Sequence, residues 1–115
     1  GFTIREGLIN GDSGGGIFFR DGSSPLIIGN IINDCECWTG AGIGCWNSSP
    51  AIIDNLITGC FSDDIGAGIY CSNGSPLIAD NVIRLNWAEA GGSIGCNNDY
   101  TPYIINNLIE SNLQI

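Results

Sequence analysis

A chain of 115 residues fits one domain, and its composition is skewed: 13% charged, 43% hydrophobic and 18 glycines, against roughly a quarter charged in an average soluble domain. Three arginines (Arg5, Arg20, Arg84) face twelve acids with no lysine or histidine, for a net charge of −9, a surface that repels a phosphate backbone or an anionic membrane and excludes nucleic acid as a main partner. No apolar run approaches the ~20 residues of a spanning helix, so membrane insertion is not expected, and the apolar content speaks against disorder.

There is no methionine, not even at position 1. The chain therefore reads either as a mature product whose leader was removed or as an excised part of something longer. Six cysteines without lysine or methionine fit an extracellular or cell-surface location.

Residues 1–24 form an irregular first block. Blocks of 25 or 26 residues then open on Pro25, Pro50 and Pro76, covering 25–49, 50–75 and 76–101, and a last one opens on Pro102 and runs to 115. Two positions after each proline stand Ile27, Ile52, Ile78 and Ile104; then come Asn30, Asn55, Asn81 and Asn107, followed by Ile32, Ile57, Ile83 and Ile109. A Gly-rich bend leads into Ile17, Ile43, Ile69 and Ile94, with Phe19, Cys45, Cys71 and Cys96 two residues further on. Each block holds two or three short, β-branched stretches cut by Gly, Asn, Ser and Pro, which read as strands. A block of this size cannot bury its own apolar side, but stacking identical blocks ~4.8 Å apart as parallel strands buries a continuous core. The expectation is an all-β, parallel β-solenoid of about four and a half turns, a single domain over 1–115 without visible caps. The asparagine column is read as a corner that needs left-handed backbone, with the amides bonding along the axis.

The pattern Pro-x-Ile-x-x-Asn-x-Ile, then Gly-x-Gly-Ile and a return to Ser-Pro, resembles the right-handed parallel β-helix repeat of pectate-lyase-like proteins over essentially the whole chain. The right hand comes from that resemblance. It implies carbohydrate-active chemistry, whose parts can be sought one by one. Glycoside hydrolysis needs two carboxyl groups about 5–9.5 Å apart. The only adjacent acids are Asp63 and Asp64, followed by Gly66, Ala67 and Gly68 where polygalacturonase-like relatives have Gly-His-Gly; they read as a solvated loop. Lyases of this fold use carboxylate-bound Ca²⁺. Asp54, Asp80 and Asn106 share a column and are the weak calcium candidates, but no arginine sits in register as base, and no catalytic residue or cofactor is assigned.

Cys45, Cys71 and Cys96 alternate in phase with inward isoleucines and read as interior; a straight column without histidine does not suit zinc. Cys35 and Cys60 occupy matching columns about 4.8 Å apart, within disulfide reach. Cys37 lacks a partner in register and reads as free or as joining a neighbouring molecule. Two sequons, at Asn47 and Asn73, share a corner. Trp38, Trp46 and Trp87 fall in no common column, and Phe18 and Tyr70 share an outward column with Gly44 and Gly95, a weak sugar platform.

The strands flanking the asparagine column are apolar at nearly every position, so half of their side chains face outward. Ile28, Ile53 and Ile105, with Ile31, Leu56, Val82 and Leu108, make an apolar stripe of the kind a partner covers. Open ends are raw sheet edges, and head-to-tail stacking of copies produces a fibre. The sequence therefore points to a structural, self-associating extracellular solenoid, a homo-oligomer or fibre. The alternative is a fragment of a larger secreted or surface protein that binds or processes polysaccharide.

Overall fold

The computed structural model describes residues 1–8, 10, 13–97 and 101–114. Ile115, the last residue of the expected domain, lies outside the described residues. The first coil holds β1 (Thr3–Arg5) and β2 (Ile17–Phe19). The second holds β3 (Leu26–Ile28), β4 (Ile31–Asn33), β5 (Glu36–Cys37) and β6 (Ile43–Trp46). The third holds β7 (Ala51–Ile53), β8 (Leu56–Thr58), β9 (Phe61–Ile65) and β10 (Ile69–Ser72). The fourth holds β11 (Leu77–Ala79), β12 (Val82–Arg84), β13 (Trp87–Ala90) and β14 (Ile94–Asn97), and the last holds β15 (Tyr103–Ile105), β16 (Leu108–Glu110) and β17 (Leu113–Gln114). Each strand pairs in parallel with its counterpart one coil away. The result is one five-stranded sheet, β1-β4-β8-β12-β16, and three four-stranded ones. The smallest principal extent, 21 Å, matches four to five rungs at about 4.8 Å.

Four sides require four corners, and each corner is one residue with left-handed backbone, except that Asp21 and Gly22 turn together in the first coil. Gly29, Asp54, Asp80 and Asn106 separate the first two strands of successive coils, and Glu6, Asp34, Gly59, Leu85 and Ser111 form the next corner. Gly14, Gly40, Gly66 and Gly91 form the third, and Asp21, Asn47 and Asn73 the fourth. These types fit because glycine has no Cβ to clash and Asp and Asn tolerate αL.

The left-handed turn thus falls one residue before the asparagine column, not on it. Asn55 and Asn81 lie buried, where each amide works as a splice along the axis. The Asn30 N–H donates to Asn55 Oδ1 at 2.9 Å, Asn55 N–H to Asn81 Oδ1 at 2.9 Å and Asn81 N–H to Asn107 Oδ1 at 2.9 Å. The Nδ2 groups continue the chain: Asn55 to Asn81 Oδ1 and Asn81 to Asn107 Oδ1, both at 3.0 Å. Asn81 and Asn107 Nδ2 also donate to the Ile52 and Ile78 carbonyls at 2.9 and 2.8 Å. The corner takes these backbone groups out of the sheet ladder, and the amide supplies both the acceptor and the donor that burial demands.

A second ladder follows the next corner, at Asn86 and Asn112. Asn86 N–H and Nδ2 both donate to Asn112 Oδ1 at 3.0 Å, and Cys60 N–H donates to Asn86 Oδ1 at 2.9 Å. Inside, Ile32, Ile43, Ile52, Ile57, Ile69, Ile78 and Ile83 are fully buried.

The acidic stretch before the glycine bend is a fourth sheet rather than a loop. β5, β9, β13 and β17 stack in parallel, with a register shift between Ala88 and Ala90, and Asp63 and Asp64 lie within β9.

Asn81→Ala leaves the Asn55 N–H without its acceptor and should lower stability by about 1–3 kcal/mol in chemical denaturation. Leu85 holds φ 57° with a branched side chain; Leu85→Gly should raise stability by about 0.5–1 kcal/mol, the relieved strain less the entropy glycine adds to the unfolded chain.

Candidate functional site

Three features carry chemistry: a cleft on the outer face of the β2-β6-β10-β14 sheet, the thiols of the interior, and the apolar surface at the coil ends. On the outer face the column Phe18, Gly44, Tyr70, Gly95 runs in register, so aromatic rings alternate with bare backbone. A Cβ at Gly44 would stand 2.8 Å from the Gly14 nitrogen and 3.1 Å from the Phe18 ring, so glycine there lets the ring lie over the neighbouring strand. Beside it a cleft of about 300 Å³ is lined by Phe18, Trp46, Arg20, Asp21, Asn47 and Ser13. Phe18 is 37% exposed and Trp46 48%, while Tyr70 is buried. Arg20 Nε donates to Asp21 Oδ2 at 2.7 Å, holding a donor and an acceptor at the rim. Column matching missed this site because its two rings come from different columns of neighbouring coils; the signal was Trp46 standing one residue beyond the Phe19–Cys45 pair, beside Arg20.

The calcium candidates Asp54, Asp80 and Asn106 form an exposed left-handed corner, which accounts for their residue types. Among the described residues no three His, Cys, Asp or Glu side chains converge so as to hold a metal ion.

Cys35 and Cys60 are free and buried, and their column is the one that continues as Asn86 and Asn112. Sulfur takes the place of the amide oxygen: Cys35 Sγ accepts the Gly7 N–H and Cys60 Sγ the Cys35 N–H, while the two thiols donate to the Asn33 and Thr58 carbonyls at 3.4 and 3.6 Å. The neighbouring Cys60 side chain lowers the Cys35 pKa to about 7, against opposition from burial. The same pairing, with burial, pushes Cys60 far up.

In the other column Cys45 and Cys71 are buried, whereas Cys96, expected in the interior, is exposed. Among the described residues it sits on β14, at the edge of its sheet. Cys37 is only 2% exposed and donates to the Thr39 carbonyl, which removes it as a link to a neighbouring molecule. Its pKa is raised by burial.

The expected stripe faces outward. Ile28, Ile31, Ile105 and Leu108 are exposed, while Ile53, Leu56 and Val82 of the middle coils are half-buried by their stacked neighbours. At the last coil the surface widens, because inward residues are uncovered too. Ile104 and Ile109 are 46% and 44% exposed, against 0% for Ile52, Ile57, Ile78 and Ile83 in the same columns.

A family model described as right-handed beta helix region matches residues 1–114. No curated protein and no solved structure matches the chain.

Thiolate absorbance should show one group titrating near pH 7, and Cys60→Ala should return it toward the ordinary 9.0. Between about pH 7 and 9 the native chain has released that proton and the unfolded chain still holds it. Stability therefore rises with pH across this window, and the contribution is lost as pH falls through 7. Cys37, Cys60, Cys71 and Cys96 are shifted upward, so above pH 9 the unfolded chain ionises first and stability falls. Denaturation midpoints against pH check both slopes. Cys60→Asn, which restores an acceptor for the Cys35 N–H, should cost less than Cys60→Ala.

Proposed function

The chain belongs to the right-handed beta helix family over residues 1–114, and from that premise we propose a structural role. It is a non-enzymatic solenoid that self-associates end to end, with its apolar stripe joining rods side by side in an extracellular or surface assembly. The observation that supports this reading is the outward apolar stripe, with Ile28, Ile31, Ile105 and Leu108 exposed and Ile53, Leu56 and Val82 half-buried; in the last described coil Ile104 and Ile109 are open as well. A β16 edge with free backbone groups and an apolar interior accepts another rung, and the chemistry of the first coil fits. Register places Arg5, Asn33, Thr58, Arg84 and Glu110 in one column, with Arg84 Nη1 4.0 Å from Glu110 Oε1. A second copy stacked in register puts its Arg5 beside Glu110. Its Thr3 N–H then reaches the Asn107 carbonyl as Leu56 N–H reaches that of Asn30 at 2.9 Å. Such a contact is heterologous and does not close.

A second reading rests on the Phe18–Trp46 cleft. Two exposed rings beside an arginine–aspartate pair and Asn47 offer stacking faces and hydrogen bonds to a sugar ring. In this reading the chain is the polysaccharide-binding part of a larger secreted or surface protein.

Electron microscopy and sedimentation of the purified chain separate the two. Self-association gives concentration-dependent filaments with a rung repeat of about 4.8 Å. Glu110→Arg or Ile109→Asp disperses them, and Arg5→Glu restores assembly to the Glu110→Arg chain. A chain that stays monomeric at high concentration overturns that reading. In that case, saccharide-induced shifts lost in Trp46→Ala would support the second.

A further inference from the structure

The inner face of the β6-β10-β14 sheet places three thiols in one row. Cys45 pairs in register with Cys71, and Cys71 with Cys96. Side chains at in-register positions of parallel strands leave the sheet side by side, about 4.8 Å apart. The Cα spacing alone falls within disulfide range, as it does for Cys35 and Cys60, but a disulfide also draws the Cβ atoms to about 3.8 Å, nearer than parallel in-register side chains stand. Two metal–thiolate bonds of the length zinc makes, laid end to end, span about 4.6 Å, of the same order as the rung spacing. A metal between two rungs would therefore be held in a nearly linear arrangement by two sulfurs. Zinc, which takes four ligands, has no third or fourth donor here: the chain contains no histidine, and among the described residues no three ligating side chains converge. Soft thiolates favour Cu(I), an ion that accepts two ligands.

We propose that Cys71 and Cys96 form a two-coordinate site for a soft, thiophilic ion of the Cu(I) class, with Cys96 as its point of access. Cys96 is exposed at the open edge of the sheet while Cys71 is buried beside it, so one ligand meets solvent and the other anchors the ion in the apolar interior. Binding forms two copper–sulfur bonds, breaks two S–H bonds and releases both protons to solvent. Copper remains Cu(I), and no oxidant or reductant is consumed. The third thiol, Cys45, lies one rung deeper and is fully buried. In the head-to-tail stack the second copy's β1 lies on β16, which is itself one rung beyond the level of β14, so its β2 stands two rungs from Cys96 and does not cover it; the site is tested in the dispersed chain.

The experiment is an anaerobic titration of the full chain with Cu(I) delivered from a competing chelator, read as moles bound per chain and followed by X-ray absorption at the copper edge. Cys71→Ser should lower the stoichiometry by one, and so should Cys96→Ser, an exposed position whose replacement leaves the interior intact. Cys45→Ser and Cys37→Ser should leave it unchanged. Copper held elsewhere, including between Cys35 and Cys60, cancels in this difference. The lost ion should show two sulfur neighbours, and excess Zn(II) should not displace it. An unchanged stoichiometry in a folded Cys96→Ser chain overturns the proposal, as does a lost ion with three or four ligands or displacement by Zn(II).

Discussion

Register between successive coils depends on hydrogen bonds that run along the axis from a side chain of one turn to the backbone of the turn below. Sheet bonds alone tolerate a slip, since a β ladder shifted along its strand can re-form its bonds and lose only side-chain matching. An asparagine amide at a corner does not, because its Oδ1 must meet one particular N–H and its Nδ2 one particular carbonyl. Asn55 and Asn81 meet theirs at 2.9–3.0 Å on both sides, in an interior where an unmet amide is costly. Once these splices hold, every other column follows: isoleucine over isoleucine, glycine under an aromatic ring, thiol over thiol.

That constraint explains the interior thiols. A ladder position asks for a small side chain that accepts an N–H from the coil below and donates onward. Asparagine does both with an amide at Asn86 and Asn112, whereas Cys35 and Cys60 in the same column accept with sulfur and donate to the Asn33 and Thr58 carbonyls of their own coils. Forced proximity of the two sulfurs then splits their acidity, lowering Cys35 and raising Cys60. The row at Cys45, Cys71 and Cys96 has a different origin, as inward positions of strands whose neighbours are isoleucine, yet the same spacing makes the thiols neighbours.

Stacking also concentrates unmet surface at the ends. A middle coil is covered above and below, so its outward apolar residues are half-buried by their stacked neighbours. The last described coil is covered on one side only, and Ile104 and Ile109 show it. A net charge of −9 works against association by repulsion. The contact proposed between copies would therefore depend on local pairing, with Arg5 and Glu110 in one column of the coil.

The repeat, the parallel stacking, the inward isoleucines and the first asparagine ladder were legible in the residue order, because a solenoid translates spacing along the chain directly into neighbours in space. The second ladder was equally present, ten residues after Pro76 and Pro102, but the cysteines earlier in its column hid it: an amide and a thiol look unlike until both are seen accepting the same kind of N–H. The fourth sheet was missed because β5, β9 and β13 carry acids, serine and a register shift that break the alternation by which strands are read. Which residue turns each corner, the exposure of Cys96, the burial of Cys37 and the pairing of Phe18 with Trp46 were settled only by the folded coil. Each depends on backbone angles and on what lies one rung away across a corner, and one-dimensional spacing carries neither.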